Sequence, residues 1–545
     1  MGEGEFEQKA LVKAIGTGLQ EQAGTAEELR VATPGGRFQV RWDEGGKATA
    51  LGQLAFFAEF LEVSGLFGRW VQGCPMSYTS PNAPAVEDVL GTWLLSILDG
   101  QHRYAHVAGL RGDAVAPQML GMNKIVSDES LRRALAHLAP SPKGGRSAEE
   151  RAARAAQLAK TTAWMDAAIA ESTGEALRTP WILDIDSSIK VLYGHQAGAE
   201  VSYNPRKPGR PSHVLHTYWI GNLRLVLDVE VQGGKTHAAK HSLPRLRTLL
   251  DRLCSEQRPA LVRGDNAFGN EAVMVELEGI AQPYLFKLRQ TAGVKGLIER
   301  QWSRGDWRAV GEGLEAVEAE LKLKGWSRAR RVVVVRRGVK DSLVAKPADA
   351  APGQQQLLHF AEPAGAFKLW EYAVLVTNTA YSLEGIAQLY RDRADCENGF
   401  DELKNQWGWG GYTTHDLERC NLSARAVALI YNWWSWYVRL ANPKARREAI
   451  TSRPLLLSGV ARLTEHAGQS RLLLTLMHGA SEQIKAMISA VRKGLDHVRA
   501  TAPQLPTLGR WLALVRYIVE KIIAAKPKNP AHLALPIPRL ASDTG

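Results

Sequence analysis

The sequence is poor in cysteine, which excludes several classes of small, cross-linked or thiolate-bound protein. Only four cysteines occur in 545 residues, and none has a second cysteine at metal-ligand spacing. They are Cys74, Cys254, Cys396 and Cys420. This set argues against a disulfide framework and a structural zinc site, and it fits a reducing compartment. The histidines are no better placed as ligands: His213 and His216 lack suitably spaced partners, and His237 and His241, four residues apart, lie among lysines with no obvious carboxylate partner.

Long apolar runs are also missing. The most apolar stretch, residues 426–438, is thirteen residues long and is interrupted by Asn432 and Ser435. A bilayer-spanning helix needs about 20 apolar residues, so this stretch is too short to span a membrane. The N-terminal residues MGEGEFEQKALVK contain acidic side chains and no apolar signal region. We therefore expect a cytoplasmic protein with no membrane partner.

Acidic residues are outnumbered by basic ones. The chain has 68 Lys and Arg against 56 Asp and Glu, which gives a formal net charge of +12 and a pI near 9.4. A positive balance of this size favours a polyanionic partner. The length of 545 residues allows three or four domains.

Four functional side chains recur at helical spacing in the segment YRDRADCENGFDELK. Tyr390, Arg393, Glu397 and Lys404 step by 3, 4 and 7 residues, so a single helix would place them on one stripe. A carboxylate between a phenol and two cations suits a metal ion held beside a phosphate. The alternative is a solvated amphipathic helix with ordinary ion pairs.

Two upstream segments place aspartates at predicted strand ends. Residues 181–185 form a predicted buried strand, and Asp184 and Asp186, two residues apart at its end, would point to one face. A buried carboxylate there needs a partner or a metal. Asp265 follows the strand-like residues 260–262, and Asn270 is a candidate N-cap for the next helix. Ligands bind at the carboxyl ends of strands in α/β sheets, although either aspartate alone is also compatible with an ordinary cap or turn.

Together these motifs resemble a known family. Asp186 followed by Ser-Ser, Asp265 followed by Asn-Ala-Phe, and the four-residue signature resemble the bacterial insertion-sequence DDE transposases with a Tyr-Arg-Glu-Lys signature (the group 1 DDE transposase domain). Residues 193–213 also resemble one branch of that group, and the resemblance covers roughly residues 178–440. It implies that Asp186, Asp265 and Glu397 are catalytic ligands of two Mg²⁺ ions, which Mn²⁺ may replace. Asp184 is the rival for the first position; Asp186 is preferred because Ser-Ser follows it.

The resemblance also implies partners and further contacts. Double-stranded DNA at terminal inverted repeats, target DNA and a homodimer in a synaptic complex are expected, in a nucleoid-associated bacterial protein. Excision in this group commonly passes through a hairpin at the element's end. Arg393 and Lys404 would contact phosphates, and Tyr390 would position a phosphate or a base. Three cations of a proline-stiffened loop are expected to contact the DNA backbone: Arg206, Lys207 and Arg210.

The expected architecture is α/β, a ribonuclease-H-like catalytic core with a β-rich insertion, flanked by helical N- and C-terminal regions. The predicted element order after Trp181 is β-β-β-α-β-α-β, and the 132 residues between Asp265 and Glu397 exceed what one connection needs. The predicted regions are a helical DNA-binding region at 1–160, a core at 178–290 and 380–440, an insertion at 291–379, and a helical C-terminal region at 441–545, with possible dimer contacts.

Two smaller predictions concern DNA contact outside the core. Residues 117–122 and 127–138 resemble a helix-turn-helix with Ser127 as N-cap and with Arg132 and Arg133 facing outward. The predicted insertion combines Trp302, Trp307 and Trp326 with a basic run from Lys322 to Lys340, which suits contact with a DNA backbone. Tryptophans in that segment are more simply core anchors, so none is assigned to a base.

The sequence therefore predicts a transposase that cleaves the ends of an insertion sequence and joins them to target DNA. A metal-dependent nuclease of the same fold is one alternative, and strand-transfer products would distinguish it. A non-catalytic DNA-binding protein derived from a transposase is another. The intact set of three acids argues against the second alternative.

Overall fold

The computed structural model describes residues 28–43, 45–78, 80–202, 204, 207–236, 238–338, 369–475 and 479–525. Arg206 and much of the predicted insertion, residues 339–368, lie outside these ranges. The described part is a mixed α/β structure with three sheets. A two-stranded sheet joins β1 (Leu29–Thr33) and β2 (Gly36–Val40), and a second sheet joins β3 (Lys47–Thr49), β14 (Ala461–His466) and β15 (Gln469–Leu474).

The largest sheet has ten strands and carries the centre of the molecule. Its order is β10-β11-β12-β13-β9-β8-β4-β6-β5, with β7 also paired to β6. The strands are β4 Ile182–Val191, β5 Glu200–Val201, β6 Pro211–Ile220, β7 Leu225–Gly233, β8 Leu261–Gly264, β9 Tyr284–Lys287, β10 Arg308–Ala309, β11 Leu314–Leu321, β12 Arg330–Gly338 and β13 Trp370–Thr377.

Sixteen α-helices occur in the described ranges. They are α1 Leu54–Ser64, α2 Leu66–Gln72, α3 Val86–Leu98, α4 Val107–Leu110, α5 Ala116–Met119, α6 Asp128–Leu138, α7 Ala148–Thr173, α8 Ala238–Asp251, α9 Glu271–Gly279, α10 Ala292–Arg304, α11 Leu383–Arg391, α12 Ala394–Gln406, α13 Leu417–Ala441, α14 Ala449–Leu456, α15 Ser481–Thr501 and α16 Thr507–Ala525. None of these helices has the length and hydropathy of a segment that could cross a bilayer.

Parallel pairing of β4 with β8 brings two distant segments together. Ile185 lies opposite Gly264, so Asp186 and Asp265 are the next residues along neighbouring strands. The observed order β4, β6, β7, α8, β8, α9, β9 agrees with the predicted β-β-β-α-β-α-β, apart from the two-residue β5. The first strand is longer than predicted, because antiparallel pairing with β6 continues from Ser187 to Val191.

Helix α13 is the packing centre for the elements around the sheet. It lies against β7, where the Asn432 side chain accepts a hydrogen bond from the Val226 amide at 2.8 Å and donates to the Val226 carbonyl at 2.8 Å. Trp433, Trp434 and Trp436 are each at most 2% exposed. They pack against aromatic residues of α1, α2 and α16, so these three tryptophans belong to the core.

The flanking regions are less helical than predicted. The N-terminal region contains β1–β3, and the C-terminal region contains β14 and β15. Within the C-terminal region predicted to be helical, Gln469–Leu474 is a strand and the next helix begins at Ser481. Strand β3 pairs with β14, so the two regions share one sheet, a long-range pairing that local spacing does not encode.

The predicted insertion is continuous with the central sheet. Strand β13 pairs with β9, so β10–β13 extend the sheet that carries Asp186 and do not form a separate one. Its arginines are also paired across strands or with α9: Arg328 and Arg330 with Glu278, Arg331 with Glu318, Arg336 with Glu315, and Arg337 with Glu371. Those ion pairs weaken the case for this run as a DNA-contacting surface.

The predicted helix-turn-helix was wrong in its first helix. Helix α5 is a single turn of four residues, too short to support a second helix in a groove. The second helix, α6, forms as predicted, and the Ser127 side chain accepts a hydrogen bond from the Ser130 amide at 3.1 Å. Arg132 lies on its exposed side.

Candidate active site

Six of the nine predicted site residues line one cavity of about 480 Å³ beside the central sheet: Asp186, Asp265, Tyr390, Arg393, Glu397 and Lys404. Lys207 and Arg210 are not among its lining residues, and Arg206 lies outside the described ranges. The cavity wall also includes Ser188, Asn266 and Lys287. Lys287 ends β9, and its basic side chain beside two strand-end aspartates was not foreseen from the sequence.

Asp186 is held from two sides. Its Oδ2 atom lies 2.8 Å from Nη2 of Arg393, and its Oδ1 atom accepts a hydrogen bond from the Ser187 amide at 2.7 Å. Burial raises the pKa of Asp186 to about 6; Arg393 opposes the rise, while Asp265 and Glu397 add to it. The last two contributions place all three carboxylates within electrostatic reach of one another.

Asp265 is fixed by the turn that follows β8. Its Oδ1 atom accepts a hydrogen bond from the Ala267 amide at 3.0 Å. Helix α9 then begins, and the Asn270 side chain accepts from the Val273 amide at 3.3 Å, which confirms the predicted N-cap. The strand end and the cap together hold Asp265 at the carboxyl edge of β8, beside Asp186.

Glu397 lies in the first turn of α12 and is the most exposed of the three acids, with 65% of its side chain accessible. Its Oε1 atom is 3.1 Å from Nη1 of Arg393. One guanidinium therefore bridges the first and third carboxylates, with its two terminal nitrogens on different acids. The neighbouring carboxylates raise the pKa of Arg393 above its ordinary value.

The sequence predicted a single helix for the four signature residues, but they span two helices. Helix α11 ends at Arg391, and α12 begins at Ala394. A continuous helix would bond the Leu389 carbonyl to the Arg393 amide. Instead that carbonyl accepts a hydrogen bond from the buried Arg263 side chain, and the Arg393 amide donates to the Tyr390 carbonyl at 3.3 Å. The resulting bend still leaves all four signature residues on the cavity wall.

Asp184, the rival for the first carboxylate, is occupied elsewhere. Its two oxygens accept hydrogen bonds from Nε and Nη2 of Arg263, both at 2.7 Å. Only 1% of the Asp184 side chain and 3% of the Arg263 side chain are exposed. Neither residue of this buried pair lines the cavity, which favours Asp186 as the carboxylate available to a ligand. The β4–β8 register sets Asp184 opposite Arg263, a pairing that the sequence alone did not reveal.

The three carboxylates suit a hard divalent cation, since Mg²⁺ prefers oxygen ligands. Burial is the main cause of the raised pKa of Asp186, and the charges of Asp265 and Glu397 add to it; bound cations would relieve that repulsion. In the described part of the chain, however, no three acidic, histidine or cysteine side chains converge at coordination distance. Arg393 lies between Asp186 and Glu397 and holds them apart, so the donor types fit a metal site while the present spacing is that of an ion-pair network.

Lys207 and Arg210 form a separate exposed group around Tyr193. Nζ of Lys207 donates a hydrogen bond to the Tyr193 hydroxyl at 2.7 Å. The guanidinium of Arg210 lies 5.4 Å from the centre of the Tyr193 ring. Both cations are on the surface, and Tyr193 itself is 67% exposed.

Comparison with known proteins places the chain in a family. The model for transposase DDE domain group 1 matches residues 37–494, which is well over half of the chain. The chain therefore belongs to this family. No curated protein matches. Among solved structures, the cryo-EM piggyBac transposase synaptic complex with hairpin DNA is similar at a TM-score of 0.38 and 11% identity, covering 89% of this chain and 87% of that one.

Proposed function

We propose that this member of the group 1 transposase DDE family cleaves the ends of an insertion sequence and joins them to target DNA by cut-and-paste transposition. The observation that carries the proposal is the shared cavity, in which Asp186, Asp265 and Glu397 lie with Arg393 and Lys404. Carboxylates that bind metal beside cations that bind phosphate are the parts that phosphoryl transfer needs.

Asp186, Asp265 and Glu397 would hold two Mg²⁺ ions, or Mn²⁺ in their place. When bound, such ions supply Lewis-acid activation of a water or 3′-hydroxyl and neutralise charge on the leaving oxygen. The chain's own contribution is positional. The turn after β8 positions Asp265, and β4 positions Asp186. The exposed Glu397 side chain would be able to rotate once Arg393 moved toward a phosphate.

Arg393 and Lys404 would neutralise phosphate oxygens next to the cleaved bond, and Tyr390 would orient a phosphate or a base. An Arg393 that contacts DNA cannot keep both of its present carboxylate partners. We infer that DNA entry and release of the Asp186–Arg393–Glu397 bridge are coupled, so that the metal ligands become available when the substrate is present.

The wider assignment follows from the same premise. The β4, β6, β7, β8 and β9 strands with α8, α9 and α12 would form a ribonuclease-H-like core. Residues 1–160 and 441–545 would supply DNA-end and dimer contacts in a synaptic homodimer. The partners would be terminal inverted repeats and target DNA in the bacterial nucleoid.

Cleavage of labelled DNA from the element's own flanks tests the proposal. Wild-type protein should cut at the element end only with Mg²⁺ or Mn²⁺, and Glu397→Gln should lower the rate more than about 100-fold, since even outer partners of metal ligands change activity 10- to 100-fold. The matched control is Asp395→Asn, on the same helix and 56% exposed, outside the cavity and paired with Arg224. It should retain most activity.

The products decide among related functions. Joining of the cut ends to a second DNA supports transposition, whereas metal-dependent cutting without joined products would indicate a nuclease. DNA binding with no cutting by the wild type would contradict the catalytic proposal and favour a DNA-binding protein.

A further inference from the structure

A second cavity, of about 650 Å³, adjoins the catalytic one and shares Lys404 with it. The end of β4 and the following residues form one wall, from Val191 to Gln196. The opposite walls come from the N-terminal region, at residues 102–105 and at Arg132 of α6, and from residues 410–413. We call this space the β4-end pocket. It is large enough for a ligand of nucleotide size.

The walls of the β4-end pocket are locked together by hydrogen bonds. Nζ of Lys190, a residue only 8% exposed, donates to the Gly411 carbonyl at 2.9 Å. The Tyr412 amide donates to the His102 carbonyl at 2.8 Å. These bonds tie the strand that carries Asp186 to the N-terminal region, so the pocket is preorganised and is not a gap between loosely packed loops.

The lining of the pocket is cationic. Arg103, Arg132 and Lys404 contribute to it, and none of the described lining residues is acidic. Arg132 has an acidic neighbour, Asp128, but the closest N–O distance is 3.8 Å and 46% of the Arg132 side chain is exposed. Such a pair contributes little to stability, so Arg132 can exchange it for a phosphate.

Aromatic rings form the floor and the rim. Tyr104 and Tyr412 are 4% and 1% exposed and pack edge-to-face with ring centres 5.3 Å apart. Tyr193 stands at the rim with 67% exposure, flanked by Lys207 and Arg210. An exposed ring among cations, beside a cationic pocket, is the arrangement that stacks bases and tracks a phosphate backbone.

One polar atom in the wall is left without a partner. The Oε1 atom of Gln196 is buried and accepts no hydrogen bond from the described residues. A buried acceptor without a donor is unfavourable, and an N–H group of a nucleobase in the pocket would reach it only after the Gln196 side chain rotated toward the cavity.

We propose that one DNA strand leaves the catalytic cavity past Lys404 and runs along β4 into this pocket, with a phosphate on Arg132 and Arg103 and a base on Tyr193. The proposal rests on the proposed function and extends it. Asp186 and Val191 are five residues apart on β4, about 17 Å at 3.3–3.4 Å per residue. That distance corresponds to about five stacked nucleotides.

Binding without cleavage tests the pocket separately from the chemistry. Full-length protein in EDTA is titrated with a fluorescein-labelled 12-nucleotide oligothymidine and with an abasic oligomer of equal length. Arg132→Gln should lower the slope of log affinity against log salt by about 0.7, the loss of one single-strand phosphate contact. Tyr193→Ala should weaken oligothymidine about 5- to 150-fold and leave abasic binding nearly unchanged.

The matched control is Arg133→Gln, one residue along the same helix, with 79% of its side chain exposed and a partner in Glu129. It should behave as wild type. Equal salt slopes for Arg132→Gln and Arg133→Gln, or equal losses of both oligomers in Tyr193→Ala, would overturn the proposal. The three substituted side chains are exposed, so misfolding is not expected to cause either result. Thermal melts of the three variants test whether they are folded.

A second measurement fixes the position on DNA. Photocrosslinking with 5-iododeoxyuridine at single sites in the element's flank should label Tyr193 from sites about three to seven nucleotides from the cut. Labelling only from more distant sites would contradict the path along β4. If the pocket variants lose binding while the wild type never cuts DNA, the pocket proposal is supported and the proposed function is contradicted. If the wild type cuts DNA and the variants bind normally, the proposed function is supported and the pocket proposal is contradicted.

Discussion

The buried pair of Asp184 and Arg263 makes a quantitative prediction about how the site is assembled. Both side chains are at most 3% exposed, and Nε of Arg263 lies 2.7 Å from Oδ1 of Asp184. Arg263→Gln leaves the Asp184 carboxylate buried without its cation, and it removes the donor to the Leu389 carbonyl. Removing one partner of a buried pair lowers stability by about 3–5 kcal/mol. We expect that loss in the free energy of unfolding.

Urea unfolding followed by tryptophan fluorescence measures the effect. Arg133→Gln is the control, because it breaks an exposed arginine–glutamate pair of similar distance, 2.9 Å, for which a loss of about 0.2–1 kcal/mol is expected. The double variant Asp184→Asn/Arg263→Gln removes both charges and should be more stable than Arg263→Gln alone. A loss below about 1 kcal/mol in Arg263→Gln, or a double variant no better than the single one, would refute this account.

Three further predictions concern packing, pH and reactivity. Gly399→Ala should lower stability by about 1–3 kcal/mol in a urea melt, as expected of overpacking, because a Cβ there would lie 2.5 Å from Cζ2 of Trp219. Burial raises the pKa of Glu230 to about 6, so this acid lowers the free energy of unfolding increasingly as pH rises from about 4.5 to 6. Glu230→Gln should remove this pH-dependent loss, which amounts to about 2 kcal/mol. Exposed Cys254 should react with a thiol reagent at pH 8, whereas Cys396, buried and with a raised pKa, should react only on unfolding, as peptide mass spectrometry can resolve.

Each of these has a control or a contrary result. Gly279→Ala lies at a helix end with no atom within 4 Å of the added Cβ, and it should be nearly neutral where Gly399→Ala is not. A Glu230→Gln variant with the wild-type pH profile would show that the buried acid is charged at little penalty. Rapid labelling of Cys396 in the native protein would show that the helix carrying Glu397 opens readily.

The sequence predicted the parts of the site that depend on local order. Asp186 and Asp265 end up side by side because adjacent parallel strands bring their carboxyl ends together, and Asn270 caps its helix through its own next residues. The bend between α11 and α12 could not be foreseen, because it depends on Arg263, 126 residues away from Leu389. Spacing of 3, 4 and 7 residues predicts a helix, but it contains no information about a distant side chain that donates a hydrogen bond to one of the helix carbonyls.

Charge runs gave the least reliable prediction. Basic residues between Lys322 and Lys340 suggested a DNA surface, yet Arg330, Arg331 and Arg336 each face a carboxylate on a neighbouring element. Sequence composition counts cations without their partners, and in a sheet the partners come from other strands. The cations of the β4-end pocket, Arg103 and the loosely paired Arg132, are far apart in the sequence and form no run.

The bridge formed by Arg393 links these observations into an order of events. Its guanidinium pairs with Asp186 and Glu397, two acids that the proposed chemistry needs for metal, and it is also one of the two cations proposed to contact a phosphate. A phosphate that enters past Lys404 competes with both carboxylates for one guanidinium. Burial is the main cause of the raised pKa of Asp186, and Asp265 and Glu397 add to it; the repulsion from these two acids favours cation binding once Arg393 leaves. DNA and metal should therefore bind cooperatively. In the wild type, the affinity for Mn²⁺ should rise when DNA is present. Arg393→Gln should bind Mn²⁺ more tightly than the wild type without DNA, and DNA should no longer change its Mn²⁺ affinity. Calorimetric titration of Mn²⁺ with and without the flank DNA measures both, and equal affinities in all four titrations would remove Arg393 from the gating role.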